Sequence, residues 1–246
     1  GKLYYVSQSF SEGGETGTAV YEKSLARPRE APRELYRAGN PHRSGMVIYQ
    51  LLAYGNYLYV LEYVDRERRA LRICDMRTEE WTDFSCPDGL ESVSAVCIFD
   101  GQLMVGCCDL PPEPMPVYDG TLEYGVYRCE PDGSRPIRTE IGWGNWIADE
   151  EYLYHADAFS GDRRNDSLHI WSRDLEEVDV IRFADLVVGD ETLLAAMILP
   201  QRGERQMILS MDDTGLHRLW YFDRAEIGSG RIRPREFFRF DERAYG

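Results

Sequence analysis

Asp149–Phe183, DEEYLYHADAFSGDRRNDSLHIWSRDLEEVDVIRF, holds three strand-length apolar runs separated by polar turns. YLYHADAF and SLHIWSRD are joined by GDRRND, and SLHIWSRD turns through Asp174 and Leu175 into EVDVIRF, which reads as a three-stranded meander. The same pattern recurs along the chain. Its first strand is matched by LYYVSQ from Leu3, YLYVLE from Tyr57, QLMVGC from Gln102 and TLLAAM from Thr192, spaced 40 to 54 residues apart. Most copies follow a turn such as Gly55-Asn56 or Asp100-Gly101, chemistry that closes a short hairpin.

The neighbouring strands recur too. TAVYEKSL, ALRICDM and GVYRCEP align with SLHIWSRD, while RELYRA, EWTDF and PIRTEI align with EVDVIRF. A further apolar run precedes each later copy: MVIYQLLAY from Met46, SAVCIF from Ser94, NWIAD from Asn145 and ADLVV from Ala184. Four strands per repeat and no helical period are the signature of β-propeller blades. The expected fold is all-β: one propeller domain over residues 1–246 with five four-stranded blades at 1–38, 46–85, 92–141, 144–183 and 184–222, and a closing segment at 223–246. Strands apolar on both faces, such as YLYVL, suit sheets packed between two neighbours. Cys74, Cys129 and Trp171, at matched positions, then read as packing between blades.

The fifth blade admits two readings. RQMILSMDDTG from Arg205 is its third strand with LHRLWYF as its fourth, or LHRLWYFD is the third and REFFRF from Arg235 the fourth. The first is preferred, because it frees REFFRF to join the N-terminal blade and close the ring, removing exposed sheet edges. These recurring strands and turns resemble bacterial propeller repeats typified by TolB-like and related secreted or lipoprotein propellers. The WD40, kelch and Asp-box signatures are absent, so the resemblance implies a fold and assigns no functional residue.

Composition narrows the partners. The 246 residues carry 43% hydrophobic side chains, 16 Tyr and 5 Trp, which suits a folded domain with a core. A net charge of −15 argues against nucleic acid and anionic membranes. No window is apolar enough for a transmembrane helix, and no signal peptide is present. Gly1 could be a tag remnant, so the absence of a targeting segment is uninformative. An extracytoplasmic home, secreted or lipoprotein-anchored, is favoured over a cytoplasmic one. The six Cys form neither CxxC nor a Cys/His pair at ligand spacing, so no metal is expected. Cys107 and Cys108 alternate faces of a strand, and the cysteines read as reduced, small apolar residues.

Function is sought on one rim of the blades, where the loops from second to third strands meet the crossovers between blades. Arg66, Arg68, Arg69, Arg163, Arg164, Arg202 and Arg205 recur there, and forked guanidinium groups suit carboxylate or phosphate. Alternatively they are solvated tips paired with Asp65, Glu67, Asp162 and Glu204. Gly142-Trp143-Gly144-Asn145-Trp146 places Trp143 and Trp146 in a crossover, to stack on a ligand, anchor a partner or cover a blade core. The long loop from Asp109 either carries function or tolerates insertion. Glu62 and Asp157, at the ends of second strands with Gln8 and Cys107, could divide acid and nucleophile roles as in glycoside hydrolysis. His155 reads as a core histidine. No GxSxG, HExxH, P-loop or GxGxxG is found. The expectation is a monomeric, cofactor-free binding module for an anionic glycan or a partner protein, with a two-carboxylate glycan hydrolase as its rival.

Overall fold

The structure is a computed structural model and describes residues 1–10, 16–38, 47–65, 68–109, 123–157, 166–187, 193–199, 203–212 and 214–241. These residues form nineteen strands, three short 3-10 turns and no α-helix, in five antiparallel sheets. Strands β1 (Lys2–Phe10), β2 (Thr16–Ser24) and β3 (Arg33–Ala38) make the first. The second holds β4 (Ile48–Tyr54), β5 (Tyr57–Tyr63), β6 (Arg69–Asp75) and β7 (Glu80–Asp83). The third holds β8 (Ser92–Phe99), β9 (Gln102–Cys108), β10 (Tyr124–Cys129) and β11 (Ile137–Arg138). The fourth holds β12 (Gly144–Ala148), β13 (Leu153–Asp157), β14 (Ser167–Trp171) and β15 (Glu177–Arg182), and the fifth holds β16 (Leu193–Leu199), β17 (Arg205–Asp212), β18 (Leu216–Asp223) and β19 (Arg235–Asp241). No helix among the described residues is long and apolar enough to cross a membrane.

Local chemistry accounts for the repeat. The β8–β9 hairpin turns through Asp100 and Gly101 with φ of 45° and 75°, the paired positive φ of a type I′ turn. After β10, Gly133 adopts φ 82° and its N–H donates to the Glu130 carbonyl at 2.9 Å, while Asp132 Oδ1 accepts from the Ser134 amide at 2.9 Å. The second strands of the second and third sheets are buried on both faces, as Leu58 to Tyr63 of β5 and Leu103 to Cys108 of β9 show.

The chain resolves into two compact units. One comprises residues 1–96, 105–115 and 122–137, and the other 97–104, 116–121 and 138–246. In the first, Val20, Ala38, Ile48, Leu58, Val60 and Cys74 form a core between the first and second sheets. In the second, Tyr154, Ile170, Phe183, Ile208, Trp220 and Phe222 form the core between the fourth and fifth.

Three expectations about the last repeat are corrected. Ala184–Leu186, expected as the start of a first strand, belongs to a 3-10 turn over Phe183–Leu186, with Phe183 and Leu186 buried. β16 therefore opens the fifth sheet, RQMILSMD is its second strand, LHRLWYFD its third and REFFRFD its fourth. β19 pairs with β18, so it does not join the N-terminal sheet, and no described pairing closes a ring. The segment 223–241 is thus part of the fifth sheet rather than a clasp, and the first sheet keeps three strands.

Candidate functional site

The residues nominated from sequence fall into different environments. Arg66, Arg163, Arg164 and Arg202, and the long loop over 110–122, lie outside the described residues. Arg68 is exposed and doubly tied to Asp65, its amide to Oδ1 and its Nε to Oδ2, both at 2.7 Å. Arg69, one residue on, points the other way, as strand alternation requires. It is 6% exposed, with its guanidinium 4.3 Å from the Tyr49 ring centroid and 5.7 Å from that of Tyr63, and its amide donates to Ser92 Oγ. Arg69 is therefore a packed residue and not a solvent-facing loop charge. Arg205 starts β17, stacks over Tyr221 at 4.7 Å and pairs with Asp223. With the fifth sheet reassigned, Arg205 opens a second strand rather than a third, which takes it off the rim expected for it.

Gly142-Trp143-Gly144-Asn145-Trp146 leads into and forms most of β12. Trp143 and Trp146 are half-buried. Trp146 stands opposite His155 of β13, which is 2% exposed and whose ring stacks on His169 at 5.6 Å. The glycines serve this packing. A Cβ on Gly144 would lie 2.1 Å from the Ala156 carbonyl oxygen and 2.6 Å from His155 Nε2, and one on Gly142 would lie 3.3 Å from His155 Cε1.

Glu62 is a buried ion-pair member. Its Oε1 accepts from Tyr36 Oη at 2.6 Å and from Arg72 Nε, and the carboxylate points between the first and second sheets. Burial, then the Glu62 carboxylate, holds the Tyr36 phenol above its ordinary range. The Asp157 and Gln8 side chains lie outside the described residues, although the Asp157 backbone pairs with Gly144.

A site that sequence reading missed lies in the second unit. Three turns meet there at one end of the fourth and fifth sheets: Asp149–Glu151 between β12 and β13, Gly203–Glu204 before β17, and Asp223–Ala225 after β18. They line a cleft of about 820 Å³ with five carboxylates and one guanidinium. Arg224 Nη2 donates to Asp149 Oδ1 at 3.0 Å and to Glu151 Oε2 at 3.1 Å, with the Arg224 and Asp149 side chains 19% and 10% exposed. Asp149 Oδ1 also accepts from the amides of Glu151 and Tyr152, and Oδ2 from Tyr154 Oη and Gln206 Nε2. Asp223 sits between Arg205 and Arg235, and these guanidinium groups, Arg235 first, hold its carboxyl below the usual range. The remaining acidic groups leave the cleft net negative, an environment for a cationic group. The signal in sequence was the Asp149-Glu150-Glu151 run, which reads equally well as a hairpin turn.

No protein-family model matches the sequence, and no curated protein matches it. The fold does have counterparts. A prolyl endopeptidase structure superposes with a TM-score of 0.60 at 11% identity over 96% of this chain and 33% of that one. A puromycin hydrolase gives 0.61 at 14% over 98% and 36%, and prolyl oligopeptidase B from Galerina marginata gives 0.61 at 13% over 97% and 33%. The chain thus spans about a third of the length of these solved structures. These comparisons give a β-propeller-like fold, as expected, and add nothing for TolB-like repeats in particular. They correct the functional expectation: these structures are named as peptidases and a puromycin hydrolase, neither non-catalytic binders of glycan or protein nor the two-carboxylate glycan hydrolase held as the rival.

Proposed function

We propose that this chain is the propeller part of a hydrolase acting on peptides or aminoacyl amides. The observation that supports this is the superposition of nearly the whole chain on about a third of each of several such hydrolases. The sequence carries no GxSxG nucleophile elbow, and the carboxylate candidate Glu62 is engaged in a buried pair. The chain's own contribution is then to hold substrate. The cleft at Asp149, Glu151, Glu204 and Asp223 has the sign to receive the ammonium group of an unblocked peptide, and its limited volume admits a chain end rather than a folded protein.

The test is a peptide-cleavage assay on the protein as its cell of origin makes it, with whatever polypeptide co-purifies. A mixture of unblocked and N-acetylated peptides, followed by mass spectrometry, should show cleavage, with unblocked peptides processed faster. Glu151→Gln/Glu204→Gln should reduce that preference while leaving N-acetylated peptides unaffected. Absence of any peptide cleavage would overturn the proposal. Cleavage indifferent to blocking and to the double substitution would remove the cleft from it.

A further inference from the structure

The first sheet has three strands where the other four have four, and the surroundings of its strands show which position they fill. β1 carries LYYV, the pattern of YLYV in β5 and QLMV in β9, both second strands of their sheets. β1 lies against β4, the first strand of the second sheet, in the way that β13, second in the fourth sheet, lies against β16, first in the fifth. At the other side, β3 sets Tyr36 against Trp81 of β7, ring centroids 4.7 Å apart, outer strand to outer strand. β1, β2 and β3 therefore stand as second, third and fourth strands. No strand among the described residues takes the first position, beside β1.

The backbone of β1 is open along that side. Its ladder with β2 runs in continuous register from Lys2↔Ser24 to Phe10↔Thr16. The Leu25 amide donates to the Gly1 carbonyl at 3.0 Å, which extends this register and fixes its parity. Gly1 faces β2, and with it Leu3 and Tyr5, because the residues that exchange hydrogen bonds across an antiparallel pair alternate. Tyr4 and Val6 then turn their N–H and C=O groups to the open edge, while their side chains pack against the core between the first and second sheets. On the opposite face Leu3 is left 49% exposed. Half-buried residues that present unpaired backbone groups are a template for another strand.

We propose that the edge of β1 binds an extended, apolar peptide as an added antiparallel strand in the first position of this sheet. The complete sheets state what fits. Their first strands are five to eight residues long and mostly apolar, as IYQLLAY and LLAAMIL show, and in the second, fourth and fifth sheets they pair antiparallel with the second strand. A single strand brings the first sheet to the four that the others keep. A second copy pairing edge to edge would add three, so a peptide is the better match. Backbone bonds to Tyr4 and Val6 would supply affinity, and apolar side chains beside Val6 and Leu3 would supply preference. The site lies in the first unit, apart from the acidic cleft of the second, and does not depend on the chain's acting in hydrolysis.

The probe is a synthetic peptide copying Ile48–Tyr54, blocked at both ends and carrying two added lysines for solubility. It is titrated into the full chain, and amide hydrogen exchange is followed by NMR. Exchange at Tyr4 and Val6 should slow, while Leu3 and Tyr5, already bonded to β2, should change little. Two N-methylated peptides then test the backbone directly. Methyl groups on the amides of Gln50 and Leu52, or of Leu51 and Ala53, block opposite edges of the added strand, so one version should lose the protection and the other keep it. Leu51→Ser/Leu52→Ser in the peptide should weaken the response. All of these arms leave the protein itself unaltered. Lack of protection at Tyr4 and Val6, or equal binding by both N-methylated peptides, would overturn the proposal. So would sedimentation showing that the chain alone dimerises with those two amides already protected, which would assign the edge to a second copy.

Discussion

Asp149 accepts Arg224 Nη2 on Oδ1 at 3.0 Å and Tyr154 Oη on Oδ2 at 2.8 Å, so the carboxylate that walls the candidate cleft also ties the fourth sheet to the segment after β18. Five donors converge on it, two of them amides of its own turn. Removing the acceptor strands all five, whereas removing Arg224 leaves four in place. Asp149→Ala is therefore expected to cost about 3–5 kcal/mol, the range for breaking a buried pair, and Arg224→Met markedly less because its apolar stem keeps packing. Urea unfolding of both variants checks the ranking, and equal losses would contradict it.

How much of this was legible in the sequence differs from one element to the next. The β5 pattern YLYVLEY announces a strand buried on both faces because apolarity on both sides survives in one dimension. The fifth sheet misled because the preceding ADLVV is strand-like by composition, yet Ala184, Asp185 and Leu186 go into a 3-10 turn with Phe183, which leaves LLAAMIL as the first strand. Arg68 and Arg69 look alike in the run RERR, yet alternation sends one to Asp65 and the other onto Tyr49. The cleft was invisible for a different reason: Glu151 and Gly203 are 52 residues apart along the chain and Glu204 and Asp223 are 19 apart, and only the packing of the last two sheets brings them together.

The Glu62 carboxylate shares one oxygen between Tyr36 and Arg72 in a buried setting, so the two contacts should be energetically coupled. Tyr36→Phe is expected to lose about 1.5–3 kcal/mol, the range for a hydrogen bond to a charged group. In the Glu62→Gln background the same change should cost clearly less. A double-mutant cycle by chemical unfolding measures the difference, and additive losses would show that the contacts act independently.

Acid should weaken the fold through specific carboxylates. Asp75 is lowered from its usual 3.8 to about 2 by the Arg77 side chain and then the Arg77 amide. Asp212 is also held low: burial pushes it up, but bonds from the Thr214 hydroxyl, the Leu216 and Thr214 amides and Arg218 outweigh burial. A folded value below the unfolded one means the stabilisation is complete above about pH 4 and is lost as pH falls towards 2. Asp75→Asn should therefore be less stable than the parent at pH 6, and the two should converge near pH 2. Carboxyl carbon NMR would place the Asp75 midpoint, and a midpoint near 3.8 would contradict the pairing.

Gly144 tests whether the GWGNW segment is shaped by packing. A methyl group at Gly144 would stand 2.1 Å from the Ala156 carbonyl oxygen, which is backbone and cannot rotate away, and 2.6 Å from a buried histidine. β12 would have to separate from β13, taking Trp146 away from its place opposite His155. At Gly142 the nearest obstacle is the His155 ring edge at 3.3 Å, which a shift of a few tenths of an ångström relieves. Gly144→Ala is accordingly expected to cost roughly 1–3 kcal/mol or more, as overpacking does, with a red-shifted tryptophan emission as Trp146 meets water. Gly142→Ala should fall well below that and leave the emission near the parent's. If Gly144→Ala were as mild as Gly142→Ala, the glycines would have to be explained by something other than the His155 contact.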